Sequence, residues 1–164
     1  MVRKPFTHVD KAGKLRMVDV SKKRATRRSA EASCYVRTTV DLAALPRDEH
    51  GVEPVHAARL AGVQAAKQTS SLIPLCHPLS LDDIQVDVTT SERGLEVASS
   101  VVTVHHTGVE MEALTACMVA ALSLVSALKK SDPGASIEDL ALLRKSGGRS
   151  GDWGRLVAPK PTSA

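Results

Sequence analysis

Aromatic side chains are nearly absent from this chain: one Phe, one Tyr and one Trp among 164 residues. The core must therefore be built from Val, Leu, Ile, Ala and Met. Recognition of single-stranded nucleic acid, which relies on aromatic stacking platforms, is poorly served. Cysteine is scarce as well. Cys34, Cys76 and Cys117 form an odd set without metal-type pairing, which suits a reducing cytoplasm rather than a disulfide framework. No apolar run is expected to be long enough to span a bilayer. The N-terminus, Met1-Val2-Arg3-Lys4-Pro5, is charged and no apolar stretch follows it, so it does not read as a secretory signal. These absences predict a cytoplasmic protein with no membrane, nucleic-acid or metal partner, and they call for no cofactor.

What is present is an aliphatic, mildly basic chain. Lys and Arg number 22 against 18 Asp and Glu, a net charge of +4. The length fits one domain. Positive charge gathers near the N-terminus, in Lys22-Lys23-Arg24 and Arg27-Arg28. A small phosphorylated ligand needs only a few such groups, although a plain solvated surface also uses them. Residues 1–32 read as a basic, partly irregular N-terminal segment, 33–145 as one folded domain, and 146–164 as a Gly-rich loop and flexible tail.

Hydropathy patterning gives the order of elements. Residues 33–40 alternate and are rich in Val, Thr and Tyr, which predicts a strand. Residues 53–68 predict a helix with Pro54 near its start, where proline is tolerated, and with Ala57, Leu60 and Val63 on one face. Residues 84–90 alternate as a half-buried strand, Gly94 supplies a turn, and 95–105 form the hairpin partner. Residues 109–130 carry Leu114, Met118, Ala121, Val125 and Leu128 at helical spacing, and Asp132-Pro133-Gly134 ends that helix. A last strand is expected over 137–143. Strand, helix, strand, strand, helix, strand is the α+β, ferredoxin-like arrangement: an antiparallel sheet with two helices on one face.

Several residues stand out for their chemistry. In Leu72-Ile73-Pro74-Leu75-Cys76-His77-Pro78-Leu79, two prolines fix their own φ and push Ile73 and His77 toward extended geometry. The result is a stiff segment that presents a histidine in one direction; a rigid loop plugging the core is the plainer reading. Glu110 and Glu112 fall in the first turn of the long helix, where its dipole favours negative charge. Ser126 and Lys129 share a face of that helix, and Lys67 precedes the proline-bracketed loop. Lys145 stands just before Gly147-Gly148-Arg149-Ser150-Gly151, whose glycines would let backbone donors approach an anion. His105-His106 resembles a metal pair, but strand neighbours point to opposite faces and no further ligands complete a site. Extended geometry also separates Cys76 from His77, which disfavours a Cys-His nucleophile.

The runs Met17-Val18-Asp19-Val20-Ser21, Leu72 to Leu79, Thr107-Gly108-Val109-Glu110-Met111-Glu112-Ala113-Leu114-Thr115-Ala116 and Lys145 to Gly151 resemble the cyclic pyranopterin monophosphate synthase family, the molybdenum-cofactor biosynthesis protein C. The resemblance covers about residues 7–152. It implies the same ferredoxin-like fold. It also implies conversion of 3′,8-cyclo-7,8-dihydroguanosine 5′-triphosphate to cyclic pyranopterin monophosphate with release of pyrophosphate, and a homo-hexamer (a trimer of dimers) with sites between subunits. By the same resemblance Lys23, Arg28, Lys67 and Lys145 hold phosphates, with Asp19 among the matching positions. Leu75, Cys76, His77, Met111 and Glu112 hold the base and sugar, and Lys129 takes part in catalysis, with His77 as a further catalytic candidate. The chain departs from the family pattern twice. Gly51, within His50-Gly51-Val52-Glu53, stands where the family has lysine, and Ser126 where it has aspartate. A serine hydroxyl cannot take over a carboxylate's proton transfer unless a base activates it. The alternative to a working synthase is therefore a catalytically impaired paralogue that binds nucleotide or pterin, or modulates an active family member.

Overall fold

The computed structural model describes residues 8–10, 12–45, 47, 51 and 53–155. Strand β1 (Thr26–Arg37) alternates small apolar residues, Ala30, Ala32, Cys34 and Val36, toward the core. A 3-10 turn, Leu42–Ala44, precedes helix α1 (Pro54–Lys67), and a single turn, α2 (Thr69–Leu72), follows it. Strands β2 (Asp83–Ser91) and β3 (Gly94–His105) form a hairpin. Gly94 closes it at φ +118, where a side chain would overlap the Val36 carbonyl. Helix α3 (Glu110–Leu128) then leads to β4 (Ser136–Ser146) and the short β5 (Trp153–Gly154). The turn after α3 is fixed by Asp132, whose carboxylate accepts from Gly134 N–H at 3.1 Å and from the Thr38 hydroxyl at 2.7 Å.

The sheet runs β2-β3-β1-β4-β5, and every neighbouring pair is antiparallel. The ferredoxin-like expectation therefore holds, with β5 added at one edge. Since β1 and β2 run one way and β3 and β4 the other, the connecting helices α1 and α3 run in opposite senses. The sheet thus has two chemically distinct ends. One gathers the start of β1, the end of β3, the start of α3 and the end of β4. The other gathers the end of α3, the start of α1 and the β2–β3 turn.

The core sits between sheet and helices and is built from small side chains. On α3 the buried stripe is Ala113, Ala116, Cys117, Ala120, Ala121, Leu124 and Leu128; on α1 it is Ala58, Gly62, Ala65 and Ala66. Small residues let the helices approach closely: a Cβ on Gly62 would lie 2.8 Å from the Ala116 carbonyl oxygen. Leu60, grouped with Ala57 and Val63 on one face of α1, is 70 % exposed. A reading weighted by side-chain size selects the large residue, whereas the close helix contact selects the small ones.

The boundaries differ from expectation at several places. β1 begins at Thr26 rather than 33 and stops at Arg37 rather than 40, so the end of the basic segment is sheet. Its start was hidden because Arg27, Ser29 and Glu31 face outward while the alternate positions are Arg28, Ala30 and Ala32, which carry little hydropathy. β4 runs to Ser146, beyond 143, and α2 and β5 were not expected. By length and composition α3 is apolar enough to cross a membrane, with mean hydropathy 1.8, contrary to expectation. It packs against β1, β3, β4 and α1 as a core helix, and two carboxylates occupy its first turn. His50, Val52 and residues 156–164, part of the expected tail, lie outside the described residues.

Candidate functional site

At the end where α3 begins, the proline-bracketed loop folds back on the helix. Cys76 N–H bonds to the Ile73 carbonyl at 3.0 Å, and this turn leaves Leu75, Cys76 and His77 half-buried. They line a cavity of about 260 Å³ together with Lys23, Glu110, Met111 and Glu112. Glu112 is only 4 % exposed. Burial pushes its carboxyl up to about 7, opposed by a hydrogen bond from its own backbone amide and reinforced by the charge of Glu110. Glu110 itself is held by Lys145, Nζ to Oε1 2.9 Å. Burial, and then the neighbouring Glu112, push the Cys76 thiol up, so it is protonated at neutral pH and is not an activated nucleophile.

A second cavity, about 520 Å³, adjoins the first and shares Lys23 with it. Lys22, Arg24, Arg28 and Arg149 complete a wall of cations with no carboxylate in the lining. Gly148 is at φ +76, and the Arg28 guanidinium lies where a Cβ at that position would project. The left-handed glycine thus lets the arginine pack flat against the backbone and face the cavity. Arg28 Nη2 also donates to the His106 carbonyl at 3.4 Å. A heterocycle-sized apolar and acidic recess beside a purely cationic one is suited to a ligand with a ring at one end and phosphates at the other.

The structure brings most of the expected site residues together. Lys23, Leu75, Cys76, His77, Met111 and Glu112 share the first cavity, and Arg28 lines the second. Lys145 reaches the site through its ion pair with Glu110. Asp19 lies between two lining residues, Val18 and Val20. Its carboxylate accepts from Ser21 N–H at 2.9 Å, and this bond holds its pKa below the usual carboxylate range. Lys67 does not join them: it is exposed at the end of α1 and lines neither cavity.

Ser126 and Lys129 are exposed at the opposite end of α3. At 1.5 Å per residue, Lys129 stands about 25 Å along the helix from Glu112. Gly51 precedes α1 and belongs to that same far end; it is at φ +78, with nothing within 4 Å of a Cβ. One copy of the chain therefore carries the two groups of expected site residues at opposite ends. Sequence reasoning did not place Arg149, His8, Thr107 or Gly108 on the cavities. It also separated His105 from His106, yet their rings meet edge to face at 5.0 Å. β3 stops at His105, so strand alternation does not extend to His106.

Residues 17–148 match the MoaC family. A cyclic pyranopterin monophosphate synthase from Streptomyces avermitilis is 47 % identical over 153 residues, covering 92 % of this chain and 89 % of that protein. One from Thermomicrobium roseum is 47 % identical over 154 residues, 92 % of this chain and 93 % of its own. A cyclic pyranopterin monophosphate synthase 2 from Mycobacterium tuberculosis is 44 % identical over 156 residues, 92 % and 91 % of the two chains. With the fold, the paired cavities and a match over most of its length, the chain belongs to the MoaC family.

Proposed function

We propose that this chain acts in molybdenum-cofactor biosynthesis. It converts 3′,8-cyclo-7,8-dihydroguanosine 5′-triphosphate to cyclic pyranopterin monophosphate and releases pyrophosphate. The observation that carries this reading is the pair of adjoining cavities joined at Lys23. The cationic cavity holds the triphosphate, with Arg28 and Arg149 beside Lys22 to Arg24. The cavity at the start of α3 holds base and sugar between Leu75 to His77 and Met111. Glu112, poised near neutral pH, holds or releases a proton against the bound ring.

The far-end residues enter through assembly. We read the protein as a cytoplasmic homo-hexamer, a trimer of dimers, in which Lys129 and Ser126 of one copy complete the site of another. The support is the separation along α3, which no side chain within one copy bridges. The test is pyrophosphate release with detection of the pterin product on incubating the purified protein with the cyclic nucleotide. Release at a rate near that of an active relative supports the reading, and binding without release points to the impaired paralogue.

The position of Ser126 gives a second measurement. Ser126→Asp is expected to raise turnover, by less than the roughly 10²–10⁴ that a fully positioned acid–base group contributes, because Gly51 leaves a lysine position empty. The double variant with Gly51→Lys is expected to gain further but to lose stability. A lysine at φ +78 occupies the left-handed region, which costs about 1–2 kcal/mol. An unchanged rate in both variants would show that these positions do not serve the reaction.

A further inference from the structure

His105 and His106 are used by no step described so far. They stand at the end of β3, where His105 pairs with Thr26 of β1, a residue that lines the cationic cavity. Arg28, which lines the cationic cavity, reaches back to the His106 carbonyl. Thr107 and Gly108, the next residues in the chain, line the cavity that holds His77. The Nδ1 atoms of both His105 and His106 are shielded from solvent and have no hydrogen-bond partner among the described residues. We propose that His105 is a proton-accepting group of the phosphate site, so that binding of a polyphosphate beside Arg28 draws a proton onto it.

The surroundings of His105 are unfavourable to its charged form. Burial lowers its pKa first, and His106, His77 and Arg28 lower it further. Those groups reach it from its own segment, from the proline-bracketed loop and from β1. Across the His77 cavity lie Lys23 from the N-terminal segment and Glu110 and Glu112 from α3; Glu110 is already paired with Lys145 of β4. A polyphosphate in the cationic cavity brings several negative charges to the side from which Arg28 acts. The balance at His105 then reverses, and protonation and anion binding favour each other. The residue adds charge only when the ligand is present, which limits like-charge repulsion among Lys22, Lys23, Arg24 and Arg28 in the free protein.

The inference rests on the cationic cavity being a phosphate site, and the experiment separates the two. Inorganic tripolyphosphate is titrated into the full-length protein by calorimetry in buffers of different ionisation heat, and the number of protons taken up is read from the buffer dependence. Near neutral pH, His105→Gln is expected to bind with less proton uptake than the parent; the ligand's own titration is common to both and cancels. Equal uptake in two proteins that both bind would overturn the role of His105 and leave the phosphate site standing. No binding by the parent would overturn both.

Inorganic sulfate, whose charge is constant in this range, gives a readout on the parent alone. Its affinity is expected to rise about three- to tenfold from about pH 8 to about pH 6. His105→Lys is expected to bind sulfate nearly independently of pH at the parent's low-pH strength. A flat profile in the parent would overturn the proposal even if neither variant folds.

Discussion

Glu112→Gln is expected to make the protein more stable above pH 7 and much slower. Burial raises the Glu112 carboxyl from 4.5 to about 7 in the folded chain. Between those two pH values the folded state keeps a proton that the unfolded chain has lost. Stability therefore falls as pH rises through this window, and the full cost, at most about 3 kcal/mol, stands above it. The amide removes that cost. Thermal unfolding at about pH 8 should shift upward by as much as roughly 5–10 °C, with little shift at about pH 4. Turnover should drop by about 10²–10⁴ if the carboxyl exchanges protons with the substrate. Parallel stability–pH curves for parent and variant would show that no buried carboxyl titrates here. A more stable variant with undiminished turnover would confine Glu112 to a structural role.

The second large effect concerns the helix contact. Gly62→Val should destabilise the protein by about 3 kcal/mol or more. Its Cβ would stand 2.8 Å from the Ala116 carbonyl oxygen, 3.1 Å from Val86 Cγ2 and 3.2 Å from Ala120 Cβ. Two of those neighbours are a helix backbone and a Cβ, which have no rotamer with which to yield. Gly62→Ala sets the same overlap against about 1 kcal/mol of improved helix propensity, so it should cost less than the valine. Urea unfolding of the three proteins orders them: parent, alanine variant, valine variant. A valine variant as stable as the parent would mean that α1 and α3 can separate freely, and the close packing described for them would be wrong.

The sequence was most legible where periodicity is strong. The β2–β3 hairpin, α1 and α3 lie within one or two residues of their expected limits. β1 was read late because its inward residues, Ala30 and Ala32, carry little hydropathy, and its outward Arg27 and Glu31 look like loop. The burial of the small helix residues is hard to read for a related reason. Ala58, Ala65 and Ala113 are buried by close approach, which is a property of the pair of helices and not of either sequence alone. In the candidate site, the stiff loop of Leu75 to His77 was visible from its prolines, and its meeting with Glu112 from the family resemblance. That Ser126 and Lys129 sit at the far end of α3 follows from helix direction and length, whereas α1 runs toward the cavities and Lys67 at its end is exposed and lines neither of them. His105 and His106 escaped because strand alternation ends between them.

The single tryptophan gives the molecule an optical probe at an unusual place. Trp153 is 44 % exposed on β5, paired with Lys145, which holds Glu110 at the mouth of the first cavity. Its emission is expected to be that of a largely hydrated indole even in the native protein. Intrinsic fluorescence would then follow global unfolding poorly, since no indole lies in the core. The same signal is expected to change when a ligand reaches the Lys145–Glu110 pair, because Lys145 is the strand partner of Trp153. A chain nearly without rings has kept its one indole beside its candidate site, so each binding event could be watched without a label.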